Sequence, residues 1–267
     1  MSKIFIESEL LKELNITHGF FTRNGGCSSG VYSSLNCKFD NGDLKKNVQK
    51  NLKLVVDCFG FDSNNFTLLK QIHSNRAVIA NNTLNTTEGD AIITNSPDDL
   101  AGIVTADCVP ILVWDDMNKV AVAIHAGWKG AYNGIIENSL NQIGKFGKSQ
   151  KIYATIGPCI QQKSYEVSES LLQLFMEQSS KNKRYFVDSN NKDRFLFDLP
   201  KYCYDKLIGC GVIDIDNLGI DTYSNAENFF SCRRSYHNQE KNFGRQISVI
   251  SPLKQKFMGA GGYSKLG

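Results

Sequence analysis

Three observations predict a mixed α/β or α+β protein. Short β-branched or apolar runs are interleaved with segments of helical periodicity. Their order gives no clean strand–helix–strand repeat. The chain has 267 residues, is 41% hydrophobic and 21% charged, and shows no internal repeat or linker, so it can build one sizeable core.

The elements can be placed in order along the chain. Asp43 can cap a helix whose apolar face is Leu44, Val48, Leu52, Val55 and Phe59. Strands are expected at residues 66–69, 77–80, 91–94, 102–105, 111–114, 120–124 and 152–156, several buried on both faces. Residues 130–143 read as a helix, and so do 168–178, where Leu171, Leu172, Leu174 and Phe175 are apolar. Asp198 can cap a last helix with Pro200 in its first turn and Gly209 or Gly211 ending it. The asparagine-rich residues 81–87 and 189–193 read as surface loops. Gly259-Ala-Gly-Gly262 reads as a flexible tail.

Composition excludes several classes. Net charge is 30 − 27 = +3, too near zero to argue for a nucleic-acid or membrane partner. Charges run through the first 14 residues without an apolar secretory core, and no stretch approaches the roughly 18 apolar residues of a membrane-spanning helix. The eight cysteines contain no C-x-x-C, and a chain this long folds without staples. The expectation is a cytoplasmic protein with reduced thiols. Gly144-Lys-Phe-Gly-Lys-Ser149 resembles a phosphate loop, but Gln142 stands where the first glycine belongs, and a strand follows instead of a helix. H-E-x-x-H does not occur, and nothing in the sequence supports a catalytic serine triad.

Only four histidines are present: His18, His73, His125 and His237. A trinuclear copper cluster needs more imidazoles than that. Three segments nevertheless place a borderline or soft ligand at or beside an apolar strand end: Lys70-Gln-Ile-His73-Ser-Asn, Val104-Thr-Ala-Asp107-Cys108-Val-Pro110 and Ile124-His125-Ala-Gly127-Trp128-Lys129-Gly130. The chain is expected to leave regular structure at Val109-Pro110. Two imidazoles and a thiolate would leave a fourth tetrahedral position open, the pattern of a catalytic zinc site. Three other readings stay open on these residues. The histidines can be merely hydrogen-bonded and the cysteine an inert core thiol. The same donors describe a blue-copper site. Cys108 can instead be a nucleophile activated by His73 or His125, as in a cysteine hydrolase or amidase.

The segment from His18-Gly-Phe-Phe-Thr-Arg23-Asn-Gly25-Gly26 to Asn36 resembles the opening of the polyphenol oxidase/laccase-domain family. Gln71-Ile-His73, Thr105-Ala-Asp-Cys108-Val-Pro110, His125-Ala-Gly-Trp-Lys-Gly130, Ile156-Gly-Pro-Cys-Ile160, Ser164-Tyr-Glu-Val167, Phe197-Asp-Leu199 and Phe229-Phe-Ser-Cys-Arg233-Arg234 continue the resemblance in order, across roughly residues 18–250. It implies an α+β fold: a single domain over 1–267, an α/β/β/α layered sandwich with mixed sheets, similar to the catalytic domain of cytotoxic necrotising factors. It implies a zinc-dependent purine nucleoside enzyme, with copper as the other metal. The reactions implied are phosphorolysis of adenosine, inosine and S-methyl-5′-thioadenosine, plus adenosine deamination. The family's metal ligands match His73, Cys108 and His125, which are also the implied catalytic residues. Ser74, Lys129 and Cys232 depart from residues common in the family, which are glycine, arginine and tyrosine. Purine nucleoside and phosphate are the implied partners. Arg23, beside its glycine turn, Asn36 and Lys129 are candidate substrate contacts. Asp107 is a candidate proton shuttle or orienting group, and Trp128 a candidate base platform, each with a purely structural alternative.

Overall fold

The computed structural model describes residues 4–80 and 84–254. Two mixed six-stranded sheets lie face to face. The first has the strand order Phe5–Ile6, Ile16–Phe21, Gln246–Lys254, Leu100–Thr105, Phe66–Lys70, Leu84–Glu88. The second runs Asp214–Asn217, Ile152–Ile156, Val109–Asp115, Val120–Ala126, Ala91–Thr94, Ala77–Ile79. A small antiparallel sheet joins Glu166–Ser168, Arg194–Phe197 and Phe186–Asp188.

Side-chain alternation along the strands builds the layers. In the second sheet Ile92, Leu112, Trp114, Ala121 and Ala123 face Phe20, Leu69, Ala101, Ile103 and Ile250 of the first. The alternate positions, Ile93, Ile111, Val113, Val122 and Ile124, pack against Ile136 and Leu140 of helix Ile135–Ile143 and Tyr202 and Leu207 of helix Leu199–Gly209. On the far side Phe66, Leu68, Val104 and Val249 pack under Val48, Leu52 and Val55 of helix Lys45–Asp57. The order is therefore helix, sheet, sheet, helices. The expected α+β class and α/β/β/α layering are what the chain adopts.

All seven expected strands form, with small changes at their ends. Asp198 caps its helix by accepting from the Lys201 amide, and Pro200 sits in the first turn. Helix Glu169–Gln178 buries Leu172 and Phe175. Residues 189–193 connect the strands Phe186–Asp188 and Arg194–Phe197.

Other expectations need correction. Asp43 does not cap the helix Lys45–Asp57. Leu44 holds that position without a side-chain bond, and Asp43 instead receives Ser28 Oγ and Asn36 Nδ2. Residues 130–143 are not one helix. Gly134, at φ +84°, breaks them into Trp128–Tyr132 and Ile135–Ile143, a backbone conformation that glycine adopts without strain. Residues 84–88 are an edge strand instead of a loop, and 81–83 lie outside the described residues, as do residues 259–262. Pro110 does not end regular structure. It is the second residue of strand Val109–Asp115, opposite His125, at a strand start where its missing amide is tolerated.

Candidate metal centre

The chain crosses from the first sheet to the second at two places that matter here. Residues 71–76 connect strand Phe66–Lys70 to Ala77–Ile79, and residues 106–108 connect Leu100–Thr105 to Val109–Asp115. His73 lies in the first crossing and Cys108 in the second. His125 is near the end of the second-sheet strand Val120–Ala126. Residues 35 and 17 positions apart thus meet at one seam, and their donor atoms lie within 4.8 Å of one another. Cys108 Sγ is 3.8 Å from His73 Nε2, and the two imidazole rings stand edge-on with centroids 4.8 Å apart.

Backbone features hold the three together. His73 and Asp107 sit at φ +58° and +85°, conformations that only surrounding structure sustains in non-glycine residues. The Gln71 side chain donates to the Val104 carbonyl and accepts from the Val104 amide, tying the first crossing to the strand that leads into the second. Gly127 is required by close approach, since a Cβ there would lie 2.8 Å from His73 Cδ2 and 3.0 Å from Cys108 Sγ.

Asp90 organises the site and was not singled out in the sequence. It is fully buried at the start of strand Ala91–Thr94. Its carboxylate accepts from the His73 and Ser74 amides, from Ser74 Oγ, and from His125 Nδ1 at 2.9 Å. The His125 contact leaves Nε2 as the nitrogen free to face the cluster. Ser74 thereby has a role that glycine would lack. Burial alone would raise the Asp90 pKa, but hydrogen bonds from His125 and Ser74 outweigh it and bring it down to about 2. Burial opposes charge on His125 as well, yet the Cys108 thiolate and Asp90 lift it to about 9. Cys108, against its own burial, is brought down to about 6 by His125 and His73. The thiolate is therefore available at neutral pH, as a ligand or a nucleophile.

The donor set fits a zinc ion. Tetrahedral zinc with ordinary bond lengths places a sulfur and a nitrogen ligand about 3.6 Å apart, close to the 3.8 Å seen between Cys108 and His73. Asp90 is hydrogen-bonded behind the His125 imidazole, the arrangement in which a carboxylate would orient that ring toward a metal.

The remaining candidates divide. Lys129 is exposed in the short helix after His125, its ammonium 5.4 Å from the Trp128 ring. Trp128 packs partly into the helix-side core of the second sheet. Arg23 donates to the carbonyls of Ser33 and Ala226, and stacks over Phe230, at a cavity of about 360 Å³. The main lining of that cavity comes from residues 226–240, and none of the three donor residues borders it. Asn36 is completely buried and bonded throughout, so it cannot touch substrate. Asp107 cannot shuttle protons at the cluster. Its buried carboxylate accepts from Thr222, Ser231 and the Arg233 amide, and burial raises its pKa. His18 is a core residue bonded at both ring nitrogens, and exposed His237 meets the Tyr223 hydroxyl. None of the eight cysteines forms a disulfide. Outside the cluster Cys37, Cys159 and Cys203 are buried, Cys58 and Cys210 are half-buried, and Cys27 and Cys232 are exposed.

Fold and site together define a layered α/β/β/α protein with one candidate His–Cys–His metal centre at the seam of its sheets. The chain belongs to the family described as multi-copper polyphenol oxidoreductase laccase, whose model matches residues 17–252. It is 33% identical to a purine nucleoside phosphorylase of Rickettsia prowazekii over 91% of this chain and 98% of that protein. It is 38% identical to another of Rickettsia conorii, over 83% and 96%. Among solved structures, a Neisseria meningitidis protein superposes with a TM-score of 0.84 at 29% identity, covering 95% of this chain and all of that one. No described helix is long and apolar enough to cross a membrane.

Proposed function

We propose that the protein is a zinc-dependent purine nucleoside phosphorylase, with His73, Cys108 and His125 as the metal ligands. It cleaves adenosine, inosine and S-methyl-5′-thioadenosine to the free base and the 1-phosphate of the sugar. It also deaminates adenosine. The observation that carries the reading is the convergence of those three donors, from three separated segments, within 4.8 Å. Relatives named as purine nucleoside phosphorylases supply the substrate class.

In phosphorolysis a phosphate oxygen bonds to C1′ while the C1′–N9 bond breaks. Its electron pair leaves with the purine, which takes up a proton. Bound zinc supplies a Lewis acid for charge that develops at the centre. Asp90 holds His125 in the tautomer whose Nε2 faces the cluster, and fixes the His73 backbone by the same carboxylate. Lys129, exposed just beyond His125, is placed to meet an anionic group of the substrate. We place the protein in the cytoplasm, in keeping with cysteines that form no disulfides.

The test uses purified protein with its zinc quantified, given adenosine with and without phosphate. Adenine plus ribose 1-phosphate is expected with phosphate, and inosine in its absence. Fully metal-loaded protein that forms neither would overturn the reading. Cys108→Ala should abolish both activities.

A second reading has one specific observation in its favour. Cys108, His125 and Asp90 form a thiol–imidazole–carboxylate line of the kind that cysteine hydrolases use. Full hydrolytic activity in chelated, metal-free protein would favour it. Copper-dependent phenol oxidation requires stoichiometric copper and oxygen uptake with phenols.

A further inference from the structure

Most cations near the candidate centre are already engaged. Arg234 donates to the carbonyls of Thr222, Tyr223 and Phe229, and Arg233 to that of Glu166. Arg23 is held by two carbonyls, and Lys70 is paired with Glu88. Lys38 and Arg245 differ. Both are half-buried, and among the described residues neither side chain makes an ion pair or hydrogen bond; the Arg245 guanidinium only stacks on Phe243, 4.7 Å from its centroid.

The fold nevertheless brings these two charges together. Buried Asn36 accepts through one oxygen from the amides of Lys38 and of Arg245, and the Cys37 amide donates to the Arg245 carbonyl. Lys38 and Arg245 are close enough to repel each other. Both also lie within electrostatic range of groups at the centre. Arg245 immediately precedes Gln246, which pairs with Thr105, so it stands where the chain departs toward Cys108. Its guanidinium lies within electrostatic range of the Cys108 thiol, and the Lys38 ammonium within range of Asp90. Asp40 is also within electrostatic range of Lys38, yet no acid forms an ion pair with either cation among the described residues, and two like charges held near each other half out of water favour a ligand that brings a counter-charge. An ammonium and a guanidinium side by side suit a tetrahedral oxyanion.

We propose that Lys38 and Arg245 form a subsite for a phosphate-class oxyanion, and that free inorganic phosphate occupies it as the attacking co-substrate. The occupant's role rests on the phosphorylase reading; the subsite itself does not. Asn36, expected to contact substrate, is instead the positioning residue that sets the pair.

The test uses the full-length, zinc-loaded protein. Inorganic phosphate is titrated calorimetrically against the wild type, Lys38→Met, Arg245→Met and Arg245→Lys, with circular dichroism melts to verify folding. Each Met variant should weaken phosphate binding by about tenfold or more, the worth of one charge-assisted hydrogen bond. Arg245→Lys should recover part of that loss. In turnover the KM for phosphate should rise by a like factor, while the KM for adenosine stays within about twofold. Absence of phosphate binding to the wild type, or equal binding by folded variants, overturns the subsite. Adenosine 5′-monophosphate binding more tightly than phosphate, and losing that margin in the variants, would make the anion part of a nucleotide and overturn free phosphate as occupant. If phosphate binding depends on the pair but no nucleoside is cleaved, the subsite stands and the phosphorylase reading falls.

Discussion

The Asp90 carboxylate takes donors from the first crossing and from a second-sheet strand at once: the His73 and Ser74 amides, the Ser74 hydroxyl and the His125 ring. An amide in its place offers one acceptor oxygen, and its NH2 group would confront these donors. Asp90→Asn should therefore lower zinc affinity by about 10–100-fold, the usual effect of losing a carboxylate behind a ligand histidine. Competition with a chromophoric chelator measures this, and unchanged affinity would remove Asp90 from the centre. His18 supports a pH prediction. Its Nε2 accepts from the Ser8 amide, and its Nδ1 bonds the Ile16 carbonyl. Burial lowers its pKa below the ordinary 6.5. Between the lowered value and 6.5 the unfolded chain binds more protons than the folded one, so stability rises with pH. The contribution is complete above about 6.5 and is lost as pH falls through that window. Urea melts from pH 5 to 8 should show this slope, and His18→Gln, which keeps an acceptor but does not titrate, should flatten it. An identical slope in the variant would remove His18 as its source.

At the level of elements, legibility followed local signal. The second-sheet strands at 91–94, 111–114, 120–124 and 152–156 are apolar runs, and that is why they could be placed. Strand Ile16–Phe21 carries Thr17, His18 and Gly19 inside, so it has neither an apolar run nor alternation; it is buried throughout, with His18 bonded at both ring nitrogens. The Gly134 break was missed because apolar periodicity continues across it from Ala131 to Ile135 and Ile136, and one glycine in a helical pattern does not fix its φ. Asp43 fits the sequence pattern of a cap, but tertiary partners, Ser28 and Asn36, claim its carboxylate. The His–Cys–His donors were candidates because each stands at or beside an apolar strand end, and the family resemblance chose among the readings that those residue types left open. Asp90, Lys38 and Arg245 were not, since a buried acid or an unpaired cation is defined by neighbours far away in the chain. Asn36 looked like a ligand for substrate because asparagine serves binding and structure alike; only its burial and its bonds to Asp43, Lys38 and Arg245 separate the two.

On the scale of the molecule, the centre lies on the seam between layers. His73 and Cys108 belong to connections that leave the first sheet, and His125 to a strand of the second. An ion held by all three therefore clamps the two sheets across the core that Leu112, Trp114, Ile103 and Phe20 fill. Binding that requires the assembled sandwich adds its free energy to folding, about 2.7 kcal/mol when free ligand exceeds its Kd a hundredfold. For a chain of this size that corresponds to roughly 5–10 °C in Tm. Chelation should lower Tm by this order and abolish activity, and zinc should restore both. Cys108→Ala should melt at the same temperature with and without zinc, because two imidazoles alone no longer bridge both crossings. A metal-dependent Tm that survives in Cys108→Ala would place the ion elsewhere. A Tm indifferent to zinc in wild-type protein that binds it stoichiometrically would mean that the unfolded chain holds the ion equally well, and would remove the clamp while leaving the chemistry of the site to be decided by turnover.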